Sequence, residues 1–303
     1  MQNAVSIDAS TLELMEHRAK IFAGIWKEVE SEGSKPERVR DVVVMPYEEF
    51  AEKVVFGDTG TAEGLVRQLY AGDGFVLKGA FSREFWQGLK NRAAEYAEKT
   101  PASFGRILEG AEDFHRYVHA DMSERYAAHR LRHDFHFYPW NDDPLGMREE
   151  CDQRWRVFKV MNGLGPLKGA SNTPKDGIVD RYHVFHYPRG GGSIQIHSDP
   201  TQNQKTIMIS LGTKRGVDYQ TGGLFLVDAD GNHVDCEPLI DPGDMVTCYA
   251  HVHHGVETVD GGEELDWSPK RGRWFLGFYS IDSDYIEERG TIVGINDDDP
   301  PTK

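Results

Sequence analysis

The sequence is short of cysteine and of positive charge. Its three cysteines, Cys151, Cys236 and Cys248, are too few and too widely spaced for a disulfide framework or a C-x-x-C metal site. Lys and Arg total 34 against 50 Asp and Glu, which gives a formal net charge of −16. Such a chain repels phosphate backbones and anionic membrane surfaces, so nucleic acid and membranes are poor partners. The same balance favours a neutral or cationic substrate over an anionic one.

Long hydrophobic runs are also missing. No apolar stretch reaches the length of a transmembrane helix, and Met1 to Ser10 lack the basic and apolar regions of a signal peptide. Hydrophobic residues still make up 39% of the 303 residues, which is enough to bury a substantial core. We therefore expect a soluble, cytoplasmic protein.

Sequence patterns indicate a helical start and a β-rich second half. Helices are predicted from a capping box at Ser10, after Pro46, over about 62–70 and after Ser82, with a strand at Phe75–Lys78. Short β-rich runs separated by Gly- or Asp-containing turns follow at Ile178–Tyr187, Ser193–Asp199, Thr206–Leu211, Gly223–Val227, Met245–Tyr249 and Arg273–Ser280. This order is typical of an α+β, mainly β protein: a β-sandwich or jelly roll with helices packed outside it.

One of these runs places a histidine and a carboxylate on the same side of a strand. His197 and Asp199 are two residues apart, so in a β-strand they share a face, here together with Gln195. A third ligand from a neighbouring strand would complete a facial triad on a metal and leave open positions for a co-substrate and oxygen. His254, just past another strand-like run, is the predicted third ligand.

A second H-x-D sequence, His119 and Asp121, lies in the segment 114–130, whose charge pattern predicts a helix. Residues two apart on a helix do not share a face, so no metal site is expected there. The histidine pairs His115/His119 and His129/His133 have the four-residue helical spacing but no Glu at the spacing of zinc proteases. We expect a solvated or substrate-facing helix.

A series of ordered blocks surrounds the His197 pair. They are Tyr187-Pro188-Arg189-Gly190-Gly191-Gly192, His197-Ser198-Asp199, Thr206-Ile207-Met208-Ile209-Ser210-Leu211, Gly222-Gly223-Leu224-Phe225, Pro242-Gly243-Asp244-Met245-Val246, His254-Gly255-Val256-Glu257-Thr258-Val259 and Arg273-Trp274-Phe275-Leu276. In this order the chain resembles the Fe(II)- and 2-oxoglutarate-dependent dioxygenases, most closely their prolyl-4-hydroxylase-like branch. The resemblance covers about residues 178–282.

The resemblance implies a fold and a set of ligands. The core over about 178–282 would be a double-stranded β-helix (jelly roll) buttressed by N-terminal helices, with His197, Asp199 and His254 binding Fe(II). The dioxygenase domain would span 72–296, after an N-terminal helical segment at 1–71 and before an acidic tail at 297–303.

The resemblance also implies how the co-substrate is held. Arg273 would pair with the distal carboxylate of 2-oxoglutarate, a role suited to a bidentate guanidinium. Tyr187 would lend its hydroxyl to the same molecule, and Ser210 stands where some relatives place a second co-substrate tyrosine. Arg271 is the weaker rival of Arg273, because the segment 261–267 makes the gap after His254 longer than is usual in the family.

The remaining candidates lie near the expected iron. His251 and His253 are expected to be structural or to support the metal ligands without binding the metal, because only His254 heads the H-x-V-x-x-V block. The three candidates for substrate contact are Gln195, Arg189 and Lys205.

The implied activity is oxidative. With Fe(II), 2-oxoglutarate and O2, the enzyme would hydroxylate a C–H bond and release succinate and CO2; desaturation and ring closure use the same chemistry. We expect a small polar metabolite, such as an amino acid or a natural-product intermediate, because many residues outside the barrel are available to close a pocket. The alternatives are a protein or peptide hydroxylase of the prolyl type and a non-catalytic, cupin-like binding module.

Overall fold

The structure is a computed structural model that describes residues 8–295; the predicted acidic tail at 297–303 lies outside this range. The helices are α1 (Ala9–Glu32), α2 (Tyr47–Val55), α3 (Thr59–Tyr70), α4 (Arg83–Lys99), α5 (Ala120–Ser123) and α6 (Arg148–Met161). None of the helices in the described range is long and apolar enough to cross a membrane. The strands are β1 (Val42–Pro46), β2 (Gly74–Lys78), β3 (Phe114–Val118), β4 (Arg130–Phe137), β5 (Ile178–Tyr187), β6 (Ser193–Ser198), β7 (Thr206–Leu211), β8 (Gly223–Val227), β9 (His233–Asp235), β10 (Met245–Tyr249), β11 (His254–Glu257), β12 (Arg273–Asp282) and β13 (Val293–Gly294).

The strands form a curled sheet with two parts that are joined by β4. The larger part has the order β1-β2-β10-β7-β12-β5-β4-β3, and the smaller part has the order β13-β6-β11-β8-β9. Strand β4 pairs with β5 from His133 to Phe137 and with β6 at Arg130 and Leu131, so it passes from one part to the other. The predicted mainly β fold with a jelly-roll core is confirmed.

The N-terminal helices pack against the larger part of the sheet, as predicted. Met15, Phe22 and Trp26 of α1 are buried in the main hydrophobic core, and the Trp26 indole donates to the carbonyl of Met161 in α6 (2.7 Å). The first 71 residues also supply β1, which pairs in parallel with β2. The domain boundary at 71/72 stays a prediction.

Local sequence accounts for where the helices begin. Asp8 and Asp58 accept hydrogen bonds from the backbone at the starts of α1 and α3, and Ser82 does so for α4 as predicted. Ser10 is not the cap of α1: it lies inside the helix and donates its hydroxyl to Asp8.

The segment 114–130 is not the helix that its charge pattern predicts. It contains strand β3, the single-turn helix α5 and the first residue of β4. Arg130, Arg132, Asp134 and His136 alternate along β4, which gives the side chains on one face of this strand a charged character. A half-buried strand is usually recognised by alternating apolar residues, and here the alternating residues are polar or charged.

Candidate active site

The two histidines of the predicted triad lie opposite each other on paired strands. His197 of β6 and His254 at the start of β11 are register partners, and the centres of their rings are 4.3 Å apart. Asp199 directly follows β6. Each of the three side chains offers one ligand atom, and these atoms lie within 4.8 Å of one another. Among residues 8–295, these three side chains form the cluster of His, Cys, Asp or Glu that is close enough to share a metal ion.

The hydrogen bonds of the two rings leave one nitrogen of each available to a metal. The Nδ1 atoms of His197 and His254 bond to the carbonyl oxygens of Gln195 and Val252, at 2.8 Å each. These bonds place the ring proton on Nδ1, so Nε2 carries the lone pair. The Nε2 atom of His254 is 3.6 Å from Oδ2 of Asp199.

The charges of the three groups suit a divalent cation. Burial lowers the pKa of His197 to about 3, and His254 acts in the same direction, so the His197 ring is neutral at pH 7. Burial would also lower the pKa of His254, but the hydrogen bond and charge of Asp199 outweigh it and raise that pKa. The pKa of Asp199 is lowered: burial raises it, and the contacts with His254 and His197 outweigh burial. Two imidazoles and an anionic carboxylate therefore converge, which fits Fe(II).

Arg273, the first residue of β12, forms a second polar centre. Its side chain is 1% exposed, and Nε donates to Oε1 of Glu237 at 2.8 Å. Glu237 also accepts from the hydroxyl of Tyr219 (2.5 Å) and from the backbone N–H of Leu224 (2.7 Å). Nη1 and Nη2 of Arg273 are buried and have no hydrogen-bond partner in the described structure. Because buried donors are normally paired, these two NH2 groups are suited to bind a carboxylate.

The triad and Arg273 line one cavity of about 470 Å³ between the two parts of the sheet. Tyr187 also lines it: the residue is the register partner of Arg273, and its hydroxyl accepts from Nη1 of Arg132 at 3.3 Å. A metal and an anionic co-substrate would thus share a single enclosure, lined partly by the apolar side chains of Ile207, Ile209 and Phe275.

Ser210 and Gln195 do not line this cavity. Ile207 and Ile209 of β7 face it, so Ser210 points to the opposite side, where its hydroxyl accepts from the Trp86 indole and donates to the carbonyl of Asp244, both at 3.0 Å. The amide of Gln195 bonds to the backbone of His129 and Ile295. The predicted co-substrate contact of Ser210 and substrate contact of Gln195 therefore have no support from the lining of this cavity and stay predictions.

The other two substrate candidates are also directed away from the cavity. Arg189 pairs with Glu263 (2.7 Å), and Lys205 pairs with Glu30 (2.8 Å). Neither residue lines the cavity. Each side chain instead forms an ion pair with a glutamate away from the triad. Arg271, the rival anchor, is exposed.

The neighbouring histidines have other partners. Nδ1 of His253 contacts the guanidinium of Arg38, and Nε2 of His251 is 3.8 Å from Glu37. Neither belongs to the metal-binding group found within residues 8–295.

Sequence reasoning missed Glu237 and the arginines of β3, β4 and β5. Glu237 lies in a single 3-10 turn, Glu237–Leu239, and no motif marks it. The alternation Arg130-x-Arg132-x-Asp134-x-His136 does carry a signal, since a two-residue period indicates a strand even where the repeated residues are charged.

Fold and site together define a jelly-roll protein with an internal His-Asp-His group. No protein-family model and no curated protein matches the sequence. Solved structures with a similar fold include a full-length protein of Neurospora crassa in complex with alpha-KG and thymine, which is 14% identical, with 83% of this chain and 88% of that chain covered and a TM-score of 0.49.

Two further structures have a similar chain trace. One is a prolyl-4-hydroxylase of Pseudomonas putida, 13% identical, with 68% of this chain and 91% of that chain covered and a TM-score of 0.42. The other is a prolyl hydroxylase of Trichoplax adhaerens in complex with a hypoxia inducible factor peptide, 13% identical, with 73% and 89% covered and a TM-score of 0.43. At these identities the likeness is one of fold alone.

Proposed function

We propose that the protein is an Fe(II)- and 2-oxoglutarate-dependent oxygenase that hydroxylates a C–H bond of a small polar metabolite. The supporting observation is that a 2-His-1-carboxylate group and a buried arginine with two unpaired NH2 groups line the same cavity. The balanced reaction is substrate, 2-oxoglutarate and O2 to hydroxylated substrate, succinate and CO2.

Each residue of the site has a defined task in this proposal. His197, Asp199 and His254 would hold the iron, which when bound supplies the oxidising chemistry. Arg273 would bind the distal carboxylate of 2-oxoglutarate through Nη1 and Nη2, while Glu237 fixes its Nε and so its orientation. The apolar walls would exclude water, which strengthens the charge pairing inside the cavity.

The position of the triad favours a small substrate over a protein. His197 and His254 are 6% and 7% exposed, and the side chain of Asp199 is 11% exposed. A folded polypeptide would have to reach these buried groups through a cavity of about 470 Å³, a size typical of small-molecule sites.

Succinate release tests the proposal. Iron-loaded protein with 2-oxoglutarate and O2 is supplied either with pools of polar metabolites or with pools of proline-containing peptides, and His197→Ala serves as the inactive control. We expect succinate above the substrate-free rate with a metabolite pool. Turnover with peptides alone would favour the peptide hydroxylase. No succinate with any pool, together with bound iron, would favour the binding module.

A further inference from the structure

The cavity has a charge opposite to that of the chain. Six arginines line it besides Arg273. Arg125 and Arg289 lie outside the strands, and the other four lie on three neighbouring strands: Arg116 of β3, Arg130 and Arg132 of β4, and Arg181 of β5. The whole chain carries a formal net charge of −16. We call these four residues the arginine wall.

A single buried carboxylate lies at the centre of this wall. Asp134 is 0% exposed; its Oδ1 accepts from Nε of Arg132 at 2.6 Å, and its Oδ2 accepts from Nε and Nη2 of Arg116 at 3.3 Å. Arg116 and Asp134 are register partners across β3 and β4. Four guanidinium groups around one carboxylate leave the wall with a formal charge of about +3.

Two of the four arginines have no carboxylate partner. Arg130 donates Nε to the carbonyl of Ala128 (3.0 Å) and lies 4.4 Å from the centre of the Tyr126 ring. Nε of Arg181 contacts the ring of His183. Neither arginine forms an ion pair with a carboxylate of residues 8–295, and Nη1 of Arg116 is buried without a hydrogen-bond partner in the same range.

The electrostatic consequence is an excess of unbalanced positive charge. Burial lowers the pKa of Arg130 to about 10, and Arg132 acts in the same direction. Burial also lowers the pKa of Arg181, and Arg116 contributes to that shift. Sequestered charges are unfavourable unless a counter-ion or hydrogen bonds compensate them, so the wall favours the binding of an anion.

Aromatic rings hold the guanidinium groups in place. The Cζ atom of Arg132 is 3.9 Å from the centre of the Phe185 ring, and that of Arg116 is 4.9 Å from the centre of the Phe104 ring. A ring that covers the face of a guanidinium leaves its N–H edge free to donate. Phe104 is 69% exposed, so this end of the cavity lies near solvent.

We propose that the substrate is an anion, and that the arginine wall binds its carboxylate or phosphate group. The wall is distinct from Arg273, whose Nε is held by Glu237. The charge of Arg130 acts on both His197 and Asp199, so a group bound to the wall lies close to the metal site. The reaction at this substrate rests on the proposed function above, whereas the binding of the anion does not.

This inference replaces the expectation drawn from composition. Net charge favours a neutral or cationic substrate, but the described lining of the cavity has two acidic residues, Asp199 and Asp284, against seven arginines. An acidic metabolite would be attracted by this local field even though the whole chain is acidic.

Anion binding is tested on the metal-free protein, without 2-oxoglutarate. Thermal unfolding is measured with inorganic phosphate and with malonate, each against sodium chloride at the same ionic strength. We expect millimolar phosphate or malonate to raise the midpoint by about 2–4 °C through preferential binding to the folded state. The anion that raises the midpoint more shows whether the site prefers a phosphate or a carboxylate. No rise with either anion would overturn the proposal.

Variants locate the bound anion. Arg130→Met and Arg181→Met should each reduce the anion effect by at least half. Arg67→Met removes an arginine from surface ion pairs with Glu32 and Glu63 and should keep the full effect. Arg273→Met should also keep most of it; loss of the effect in Arg273→Met alone would place the anion in the co-substrate site and refute the proposal.

The same variants give an independent readout without added anion. Arg130→Met and Arg181→Met remove charges that have no carboxylate partner, so the ligand-free protein should be as stable as the wild type or more stable. Arg132→Met leaves Asp134 without its 2.6 Å partner and should be less stable. A loss of stability in Arg130→Met and Arg181→Met as large as that in Arg132→Met would show that the wall is only structural, against the proposal.

Turnover separates this proposal from the proposed function. Metabolites are supplied as matched pairs, each acid with its amide and each phosphate ester with its alcohol, and succinate is measured. We expect the anionic member to be preferred by at least about tenfold in kcat/KM. Preference for the neutral members would refute the anionic substrate and leave the oxygenase intact. If the variants locate the anion at the arginine wall but no compound yields succinate, the proposed oxygenase activity is refuted and the proposed anion site stands.

Discussion

The carboxylate of Glu237 offers a direct test of how the co-substrate anchor is built. Glu237 is 2% exposed and accepts from the Nε of Arg273, the hydroxyl of Tyr219 and the N–H of Leu224. Glu237→Gln keeps the shape and the capacity for hydrogen bonding but removes the charge, so the guanidinium of Arg273 loses its only ion-pair partner within residues 8–295.

The expected loss of stability follows from these contacts. Hydrogen bonds that involve a charged group contribute about 1.5–3 kcal/mol, and neutral ones about 0.5–1.5 kcal/mol. Weakening the bonds to Arg273 and Tyr219 should therefore cost about 2–3 kcal/mol in free energy of unfolding. Glu237→Ala, which removes the partner completely, should cost about 3–5 kcal/mol, as for other broken buried pairs.

Urea unfolding of the metal-free protein measures both values, and 2-oxoglutarate supplies a second readout. In iron-loaded, anaerobic protein the distal carboxylate of 2-oxoglutarate should restore a negative charge beside Arg273. The rise in unfolding midpoint on adding 2-oxoglutarate should thus be larger in Glu237→Gln than in the wild type. Stability within about 0.5 kcal/mol of the wild type in both variants would refute the buried pair, since that is the range of neutral surface changes.

Three further outcomes are expected. Burial lowers the pKa of His186 to about 4, so between pH 6.5 and 4 the unfolded state takes up a proton on this residue and the folded state does not; the share of His186 in the loss of stability from pH 7 to 5 should be about 2 kcal/mol. His186→Gln should reduce the slope of stability against pH in urea unfolding by that share, and an unchanged slope would contradict the assignment. Asp134→Asn should lower the free energy of unfolding by about 3–5 kcal/mol, because Arg132 loses its buried carboxylate; a change under about 1 kcal/mol would contradict it. His254→Ala should abolish Fe(II) binding in equilibrium dialysis while His253→Ala, whose ring contacts Arg38, should retain it, and equal losses would contradict the choice of ligand.

Much of the fold could be predicted because its strands have conventional patterns. Thr206–Leu211 and Met245–Tyr249 are short, mostly apolar runs with turns around them, and the structure has strands at the same bounds. The triad was predictable for a local reason: the two-residue spacing of His197 and Asp199 is preserved by any strand.

Features that depend on distant partners could not be predicted. The roles of Glu237 and Arg273 depend on a contact between residues 36 positions apart, and no spacing rule connects them. The place of Ser210 in an ordered block suggests a co-substrate role, but strand alternation turns it away from Ile209 and out of the cavity. The charge pattern of 114–130 and the spacing of His129 and His133 suggest a solvated or substrate-facing helix, and only the register with β3 and β5 shows that the arginine wall faces inward.

Anaerobic titration of the metal-free protein with Fe(II) and 2-oxoglutarate is the most direct test of the proposed site. We expect a weak visible charge-transfer absorption in the wild type, no such absorption in His197→Ala, and a requirement for much more 2-oxoglutarate in Arg273→Ala. Iron bound by the wild type without any absorption on addition of 2-oxoglutarate would contradict the proposed oxygenase.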